Sequence, residues 1–125
     1  MEIGGFQRLL VWQKAIDLTL IIYKLTEKLP DTEKYGLVTQ MRRCSVSVPS
    51  NIAEGYGRYS VPELIHFLRI SRGSLYELLT QTIICNMLGF ISDENKNLID
   101  EKSQEIDKMI TVFINKLQGK SQIKD

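Results

Sequence analysis

The sequence predicts an all-helical protein folded as one antiparallel, up-down-up-down four-helix bundle. Three observations support this prediction. Apolar residues recur at alternating steps of four and three in four segments, with a slip of one residue at the end of the second. Capping residues bound those segments, and the connections between them are short. A chain of 125 residues fits a single domain, which we place at residues 1–125 with an ordered core of about residues 6–118. The hydrophobic fraction of 43% and the charged fraction of 25% are those of an ordinary globular domain, which argues against a disordered chain.

Four apolar seams define the four helical segments. A repeat that averages about 3.5 residues keeps one side of a helix facing its neighbours when helices cross at about 20°, as they do in a bundle. The seams are Val11, Ala15, Leu18, Ile22, Leu25 and Leu29; then Leu37, Met41, Cys44, Val48 and Ile52; then Leu64, Leu68, Ser71, Leu75, Leu78, Thr82 and Cys85; and finally Ile99, Ser103, Ile106, Ile110, Phe113 and Leu117.

Turn and capping residues separate the seams. The expected connections are residues 30–32, residues 55–59 and the region after Gly89. The run Ser60-Val61-Pro62-Glu63 has the form of a capping box with proline in the first turn, and Ser92 is expected to cap the fourth helix. Because each connection is short, consecutive helices are expected to run antiparallel.

One residue conflicts with the second helical segment. Pro49 removes a backbone hydrogen bond and crowds the carbonyl of Ser45, at a cost of about 3 kcal/mol. The helix must therefore either kink at Pro49 or stop and restart. The apolar seam continues from Val48 to Ile52, which favours a kinked helix.

Catalytic, metal and membrane functions find little support in the sequence. Cys44 and Cys85 lie 41 positions apart without a CxxC pattern, so we expect free, buried thiols in a reducing cytoplasm. Glu63 and His66 form one Glu-x-x-His, but a di-iron bundle needs two copies and His66 is the only histidine. With no recognisable nucleophile or acid–base pair we expect no enzymatic activity and no cofactor. The chain opens with no signal peptide and holds no apolar stretch of about eighteen residues, which predicts a cytoplasmic protein without a membrane partner.

The first segment carries more apolar surface than one bundle needs. A second stripe lies beside the first seam, and two further apolar residues remain on its polar side. Together these residues are Trp12, Ile16, Leu20, Ile21 and Tyr23. Exposed apolar patches usually mark interfaces, so we predict a homo-oligomer; the alternative is that Trp12 and Tyr23 complete a wide core face.

The second segment carries a polar stripe. Its members recur at steps of three and four and are Gln40, Arg43, Ser47, Asn51, Glu54 and Arg58. One interpretation is structural: Arg43, Glu54 and Arg58 pair with one another or with Glu77, and the network fixes packing register and subunit orientation. The target of such a module would be another protein.

The other interpretation is nucleic-acid binding. Residues 35–76 carry five arginines and no lysine against two glutamates, a net charge of +3 in a chain whose total is +1. Arginine suits phosphate oxygens, and tyrosines in a glycine-rich turn offer stacking faces for single-stranded RNA or DNA. The candidate contacts are Arg42, Arg43, Arg58, Arg69, Arg72, Tyr56 and Tyr59.

Three runs together resemble a known family. They are Leu-Val-Trp-Gln-Lys-Ala at 10–15, Gln-Met-Arg-Arg-Cys-Ser-Val-Ser-Val-Pro-Ser-Asn-Ile-Ala-Glu-Gly at 40–55, and Gly-Ser-Leu-Tyr-Glu-Leu at 73–78. They are similar to the bacterial four-helix-bundle proteins named for intervening sequences of large-subunit ribosomal RNA genes. That family is also labelled ribosomal-protein-like and includes accessory proteins of diversity-generating retroelements. The resemblance covers about residues 6–118, and implies an up-down bundle, a ring-like pentamer, no enzymatic activity, no cofactor and a suspected role with nucleic acid.

Overall fold

Four long helices form the protein in the computed structural model, which describes residues 4–119. Helix α1 spans Leu10–Thr26, α2 spans Leu37–Tyr56, α3 spans Val61–Met87 and α4 spans Asp93–Leu117. Short 3-10 helices at Gly5–Arg8 and Asp31–Glu33 precede α1 and α2. There is no strand among the residues described, so the predicted all-helical bundle is confirmed.

The helices are arranged as a closed square. Each helix packs against the next one in the chain, and α4 packs back against α1. Within the described part of the chain, the diagonal pairs α1–α3 and α2–α4 bring no Cα atoms within 8 Å of each other. The α1–α4 face therefore lies across the bundle from the α2–α3 face, which has the most extensive helix contact.

The core is built from the predicted seams. Burying these side chains is the main favourable term in folding, at about 25 cal/mol per Å² of apolar surface removed from water. The fully buried seam residues include Ala15, Ile22, Val48, Ile52, Leu68, Leu75, Leu78, Cys85, Ile99 and Ile110. Ile91 and Ile114 also belong to the core, although the seams did not include them.

Capping groups mark the starts of α3 and α4 and the end of α3 where the sequence predicts them. The Ser60 hydroxyl accepts a hydrogen bond from the backbone N–H of Glu63 at 3.4 Å, and the Ser92 hydroxyl accepts one from Asn95 at 3.1 Å. After α3, Gly89 adopts a positive φ of 79° and the N–H of Phe90 donates to the Cys85 carbonyl at 2.9 Å. These bonds satisfy carbonyls at the end of α3, and the left-handed conformation favours glycine.

The second connection is shorter than predicted. Gly55 and Tyr56 belong to the last turn of α2, so the connection comprises residues 57–60 rather than residues 55–59. A Cβ atom at Gly55 would lie 2.8 Å from Cβ of Phe67. Gly55 therefore serves as the point of closest approach between α2 and α3 and not as a turn residue.

Helix α2 runs without interruption through Pro49, so the helix does not stop and restart. Pro49 has no N–H to donate to the carbonyl of Ser45. The Thr19 hydroxyl of α1 donates to that carbonyl at 2.9 Å, and it also lies 3.0 Å from the Ala15 carbonyl in its own helix. A side chain of the neighbouring helix thus replaces the hydrogen bond that proline removes.

Candidate functional site

The middle of the polar stripe on α2 faces α3. The hydroxyl groups of Ser47 and Ser74 lie 2.8 Å apart, within hydrogen-bonding distance. The amide of Asn51 donates to the Ser47 carbonyl at 2.8 Å and to the Ser47 hydroxyl at 2.9 Å. All three side chains are half-buried; the Ser47–Ser74 contact joins α2 to α3, and Asn51 holds Ser47 from within α2.

The polar contacts between α2 and α3, which we call the α2–α3 seam, continue toward the start of α2. The amide of Gln81 lies 3.4 Å from Oε1 of Gln40 and 3.4 Å from Sγ of Cys44, and the Cys44 thiol lies 3.6 Å from a Glu77 carboxylate oxygen. Ser74 and Gln81 were missed by the sequence analysis. They lie seven residues apart beside the seam of α3, and that spacing could have placed them opposite the stripe on α2.

The far end of the stripe forms an ion-pair cluster at the α2–α3 connection. Arg58 lies 2.7 Å from the Glu54 carboxylate and 3.5 Å from that of Glu63. Its guanidinium also lies 4.9 Å from the centre of the Phe67 ring. The hydrogen bond that Arg58 donates to the Glu54 carboxylate raises the pKa of Arg58 above its ordinary value. The Glu63 carboxylate, expected in a capping box, thus lies beside Arg58.

Two of the candidate contact arginines bind neighbouring helices. Arg42 donates to the Thr26 hydroxyl at 2.9 Å and to the Tyr23 carbonyl at 3.2 Å, and its guanidinium lies 4.6 Å from the Tyr23 ring centre. Arg72 lies 2.6 Å from the carboxylate of Asp107 on α4, which raises the pKa of Arg72. Both arginines hold adjacent helices together.

Arg43 and Arg69 are exposed, and no partner for either side chain occurs among residues 4–119. Arg43 lines a groove of about 380 Å³ with Tyr23, Thr39, Arg42 and Val46. Arg69 lines a second groove, of about 400 Å³, with Arg72, Gly73 and Tyr76. The five arginines are thus distributed over two grooves and the α2–α3 connection.

The two candidate tyrosines have different surroundings. Tyr56 is half-buried, and its hydroxyl approaches Gly5 so closely that a Cβ atom there would lie 2.5 Å away. Tyr59 is 65% exposed and occupies the connection with a φ of 56°. Of the two tyrosines, Tyr59 is therefore the more exposed.

The apolar residues of α1 lie in four different surroundings. Trp12 and Ile16 are half-buried and line a groove with Val46 and Pro49 of α2, where Phe6 packs edge-to-face on Trp12 with ring centres 5.3 Å apart. Tyr23 lies beneath Arg42. Ile21 packs against the core, whereas Leu20 is 64% exposed.

Both cysteines are free thiols, Cys44 beside polar groups of α3 and Cys85 in the core. Cys44 is half-buried and Cys85 fully buried, with the Cys85 sulfur 3.4 Å from the Met41 sulfur. Burial raises the pKa of both thiols above the ordinary value. Across residues 4–119, no group of three or more histidine, cysteine or carboxylate side chains is placed to hold a metal ion. Nor does any helix in that range combine the length and apolar character needed to cross a bilayer.

Comparison with solved structures gives a match in fold. A protein of unknown function from the S23 ribosomal protein family of Bacteroides thetaiotaomicron superposes with a TM-score of 0.78 and 24% sequence identity, covering 84% of this chain and 95% of that one. Comparison with curated protein sequences gave no match. The family model described as "23S rRNA-intervening sequence protein" matches residues 7–112. This match spans most of the chain and includes the α2–α3 seam, so the protein belongs to the 23S rRNA-intervening sequence protein family.

Proposed function

We propose that this protein is a non-enzymatic homo-oligomeric bundle that binds RNA through arginines on α2 and α3. Arg43 and Arg69 are the principal contacts, and Arg42 and Arg72 line the same grooves. Assembly uses the face of α1 that exposes Leu20 and Tyr23, which we call the α1 face. The family resemblance suggests a ring of five copies. The name of the family refers to a ribosomal RNA sequence, which makes RNA the first nucleic acid to test.

The observation that carries this proposal is that two exposed arginines have no ion-pair partner within residues 4–119. Neither Arg43 nor Arg69 has a carboxylate partner within residues 4–119, and each lines a groove that also contains a tyrosine. A guanidinium beside an aromatic ring suits a phosphate and its neighbouring base. Repetition of these weak contacts around an oligomer would raise affinity through avidity.

The test of RNA binding is a titration of labelled single-stranded and structured RNA at low salt. We expect Arg43→Ala/Arg69→Ala to weaken binding. The slope of log affinity against log salt should also become less steep, because a protein with fewer phosphate contacts displaces fewer counterions from the RNA when it binds. The matched control is Lys24→Ala/Lys28→Ala, which removes two exposed positive charges elsewhere on the molecule. Equal loss in both variants, or no binding by the wild type, would refute an arginine-specific RNA site.

The test of assembly is sedimentation velocity at micromolar concentrations. Leu20→Glu places a charge on the exposed face of α1, so we expect the particle mass to fall toward the 14.4 kDa of one chain. The matched control is Met87→Glu, because Met87 is 80% exposed at the end of α3. A wild-type particle of one chain would remove the oligomer from the proposal.

A second function, a structural or protein-interaction module, is supported by the hydrogen-bonded α2–α3 seam. Ser47, Asn51 and Gln40 make contacts within the bundle instead of lying free for a ligand. Replacing Arg43 or Glu54 by alanine distinguishes the two functions. Loss of oligomer or of thermal stability favours the structural module, whereas an intact oligomer with weakened RNA binding after Arg43→Ala favours RNA recognition.

A further inference from the structure

Helix α4 carries opposite charges on the two halves of one exposed stripe. At about 100° per residue the stripe lies within a sector of about 80° on the side of α4 toward α1. We call it the α4 stripe, and its members are Glu94, Leu98, Glu101, Glu105, Lys108, Val112 and Lys116. The acidic members precede the basic members along the helix.

Four charges of the α4 stripe are available to a partner. Glu94, Glu101, Lys108 and Lys116 are exposed, and none makes an ion pair or side-chain hydrogen bond within residues 4–119. Charges of this kind are ordinarily solvated. Acidic residues first and basic residues last also suit the helix dipole, and here that order gives one face a charge that reverses along its length.

Apolar residues lie beside the same charges. Leu98 is 37% exposed, and Val112 lines an apolar groove of about 450 Å³ between α1 and α4. Leu10, 56% exposed, lines the opposite wall of that groove, and Lys108 and Lys116 line it as well. The charged and apolar features therefore form one continuous surface.

The α4 stripe is complementary to itself. When a second α4 is laid antiparallel with a two-fold axis beside Glu105, Glu94 falls opposite Lys116 and Glu101 opposite Lys108 within about 1.5 Å along the axis. In the same register Leu98 falls opposite Val112, at the mouth of the apolar groove. Opposite charges and apolar side chains match in a single alignment.

We propose that the α4 stripe is an isologous interface that binds a second copy of this chain with the two α4 helices antiparallel. A two-fold interface must present the same patch from both subunits, and the α4 stripe meets that requirement because its charge reverses about its own centre. Near the axis each Glu105 is accompanied by Lys14 of its own chain at 3.5 Å, so two carboxylates and two ammonium groups meet there.

This interface is distinct from the α1 face in the proposed function, and a charge-swap experiment tests it. In the first variant, Lys108→Glu/Lys116→Glu, every charge of the stripe is acidic. In the second, Glu94→Lys/Glu101→Lys, every charge except that of Glu105 is basic. In sedimentation equilibrium at low salt we expect each variant alone to self-associate at least tenfold more weakly than the wild type. An equimolar mixture of the two should recover association, because the glutamates of the first variant then face the lysines of the second at all four altered pairs of positions.

The control for net charge is Lys28→Glu/Lys34→Glu, which changes the total as the first variant does and lies outside both α1 and the α4 stripe. It should associate as the wild type does. Unchanged association of the two stripe variants, or failure of their mixture to recover it, would overturn the proposal. If the α4 stripe instead binds an unrelated acidic peptide, the mixture of the two variants would likewise fail to recover association.

Cross-linking locates the contact directly. In a Cys44→Ala/Cys85→Ala background, a mixture of Leu98→Cys and Val112→Cys chains treated with a short bismaleimide should give a covalent dimer. Leu98→Cys alone should not, since its two sulfur positions would lie about 21 Å apart. The experiment is repeated in the Leu20→Glu background. A cross-link that persists there supports the α4 interface even if the α1 face plays no part, and absence of the mixed cross-link in both backgrounds overturns it.

Discussion

The Thr19 hydroxyl of α1 donates to the Ser45 carbonyl of α2 at 2.9 Å, and this is the carbonyl that Pro49 leaves without its helical donor. A proline inside a helix costs about 3 kcal/mol, partly through that missing hydrogen bond. The contact between α1 and α2 restores a donor from outside the helix. The proline therefore makes the integrity of α2 depend on a particular residue of its neighbour.

We predict that Thr19→Val destabilises the protein by about 1–3 kcal/mol. Valine preserves the shape of threonine but removes the hydroxyl, which leaves the Ser45 carbonyl without a donor at a partly buried site. Urea unfolding followed by circular dichroism measures the change. Thr19→Ser keeps the hydroxyl and should lose much less.

A double-mutant cycle checks the role of Pro49 in this effect. Pro49→Ala returns an N–H that can donate to the Ser45 carbonyl, so Thr19→Val should cost less in that background than in the wild type. Equal costs in the two backgrounds would contradict the compensation between Thr19 and Pro49.

We predict opposite effects of alanine at two helical glycines. Gly55→Ala forces a Cβ atom to 2.8 Å from Cβ of Phe67, which should cost about 1–3 kcal/mol through displacement of α3. Gly73→Ala meets no atom within 4 Å in the middle of α3 and should stabilise the protein by about 0.5–1 kcal/mol, because alanine favours the helix. Thermal unfolding of both variants measures the difference, and a neutral Gly55→Ala would show that α2 and α3 can separate freely.

The ion pair between Arg72 and Asp107 should add little to stability while restraining Arg72. The side chains are 42% and 25% exposed, so solvent screening limits the loss in Asp107→Asn to about 1 kcal/mol or less. If Arg72 contacts phosphate, removing its ion pair with Asp107 should tighten RNA binding. A parallel measurement of unfolding and of RNA affinity on this variant decides the point, and weaker RNA binding would exclude Arg72 as a contact.

The buried thiols predict a decline in stability at alkaline pH. Burial raises the pKa of Cys44 and Cys85, so the folded chain keeps thiol protons that the unfolded chain releases above the ordinary value of 9.0. This contribution is fully present below that pH and is lost as the pH rises further. Urea unfolding at pH 7 to 10 should show a decline that is smaller in Cys44→Ala/Cys85→Ala.

Thiol reactivity gives a second readout of the same pKa shifts. Iodoacetamide reacts with the thiolate, so at pH 8 both cysteines should react more slowly than a free cysteine, and Cys85 more slowly than Cys44 because it is fully buried. Mass spectrometry over time measures each rate. Rapid modification of Cys85 would indicate local opening of the core.

Sequence alone determined the number of helices and the composition of the core. Apolar side chains at a repeat of 3.5 residues have one side to bury, so Ile22, Leu75 and Ile110 had to face a common interior. Ser60 and Ser92 predicted the starts of α3 and α4, because the hydroxyl of each accepts a hydrogen bond from an N–H group in the first turn of the helix that follows it. These features are local, and local patterns suffice to predict them.

Only the tertiary structure decided the partners of the polar residues. Ser74 and Gln81 meet the α2 stripe because of the register between α2 and α3, which periodicity within either helix does not fix. Arg42 and Arg72 bind neighbouring helices, whereas Arg43 and Arg69 remain exposed, although all four look alike in the sequence. A hydrogen bond depends on the distance between two atoms far apart in the chain, and that distance exists only once the helices have packed.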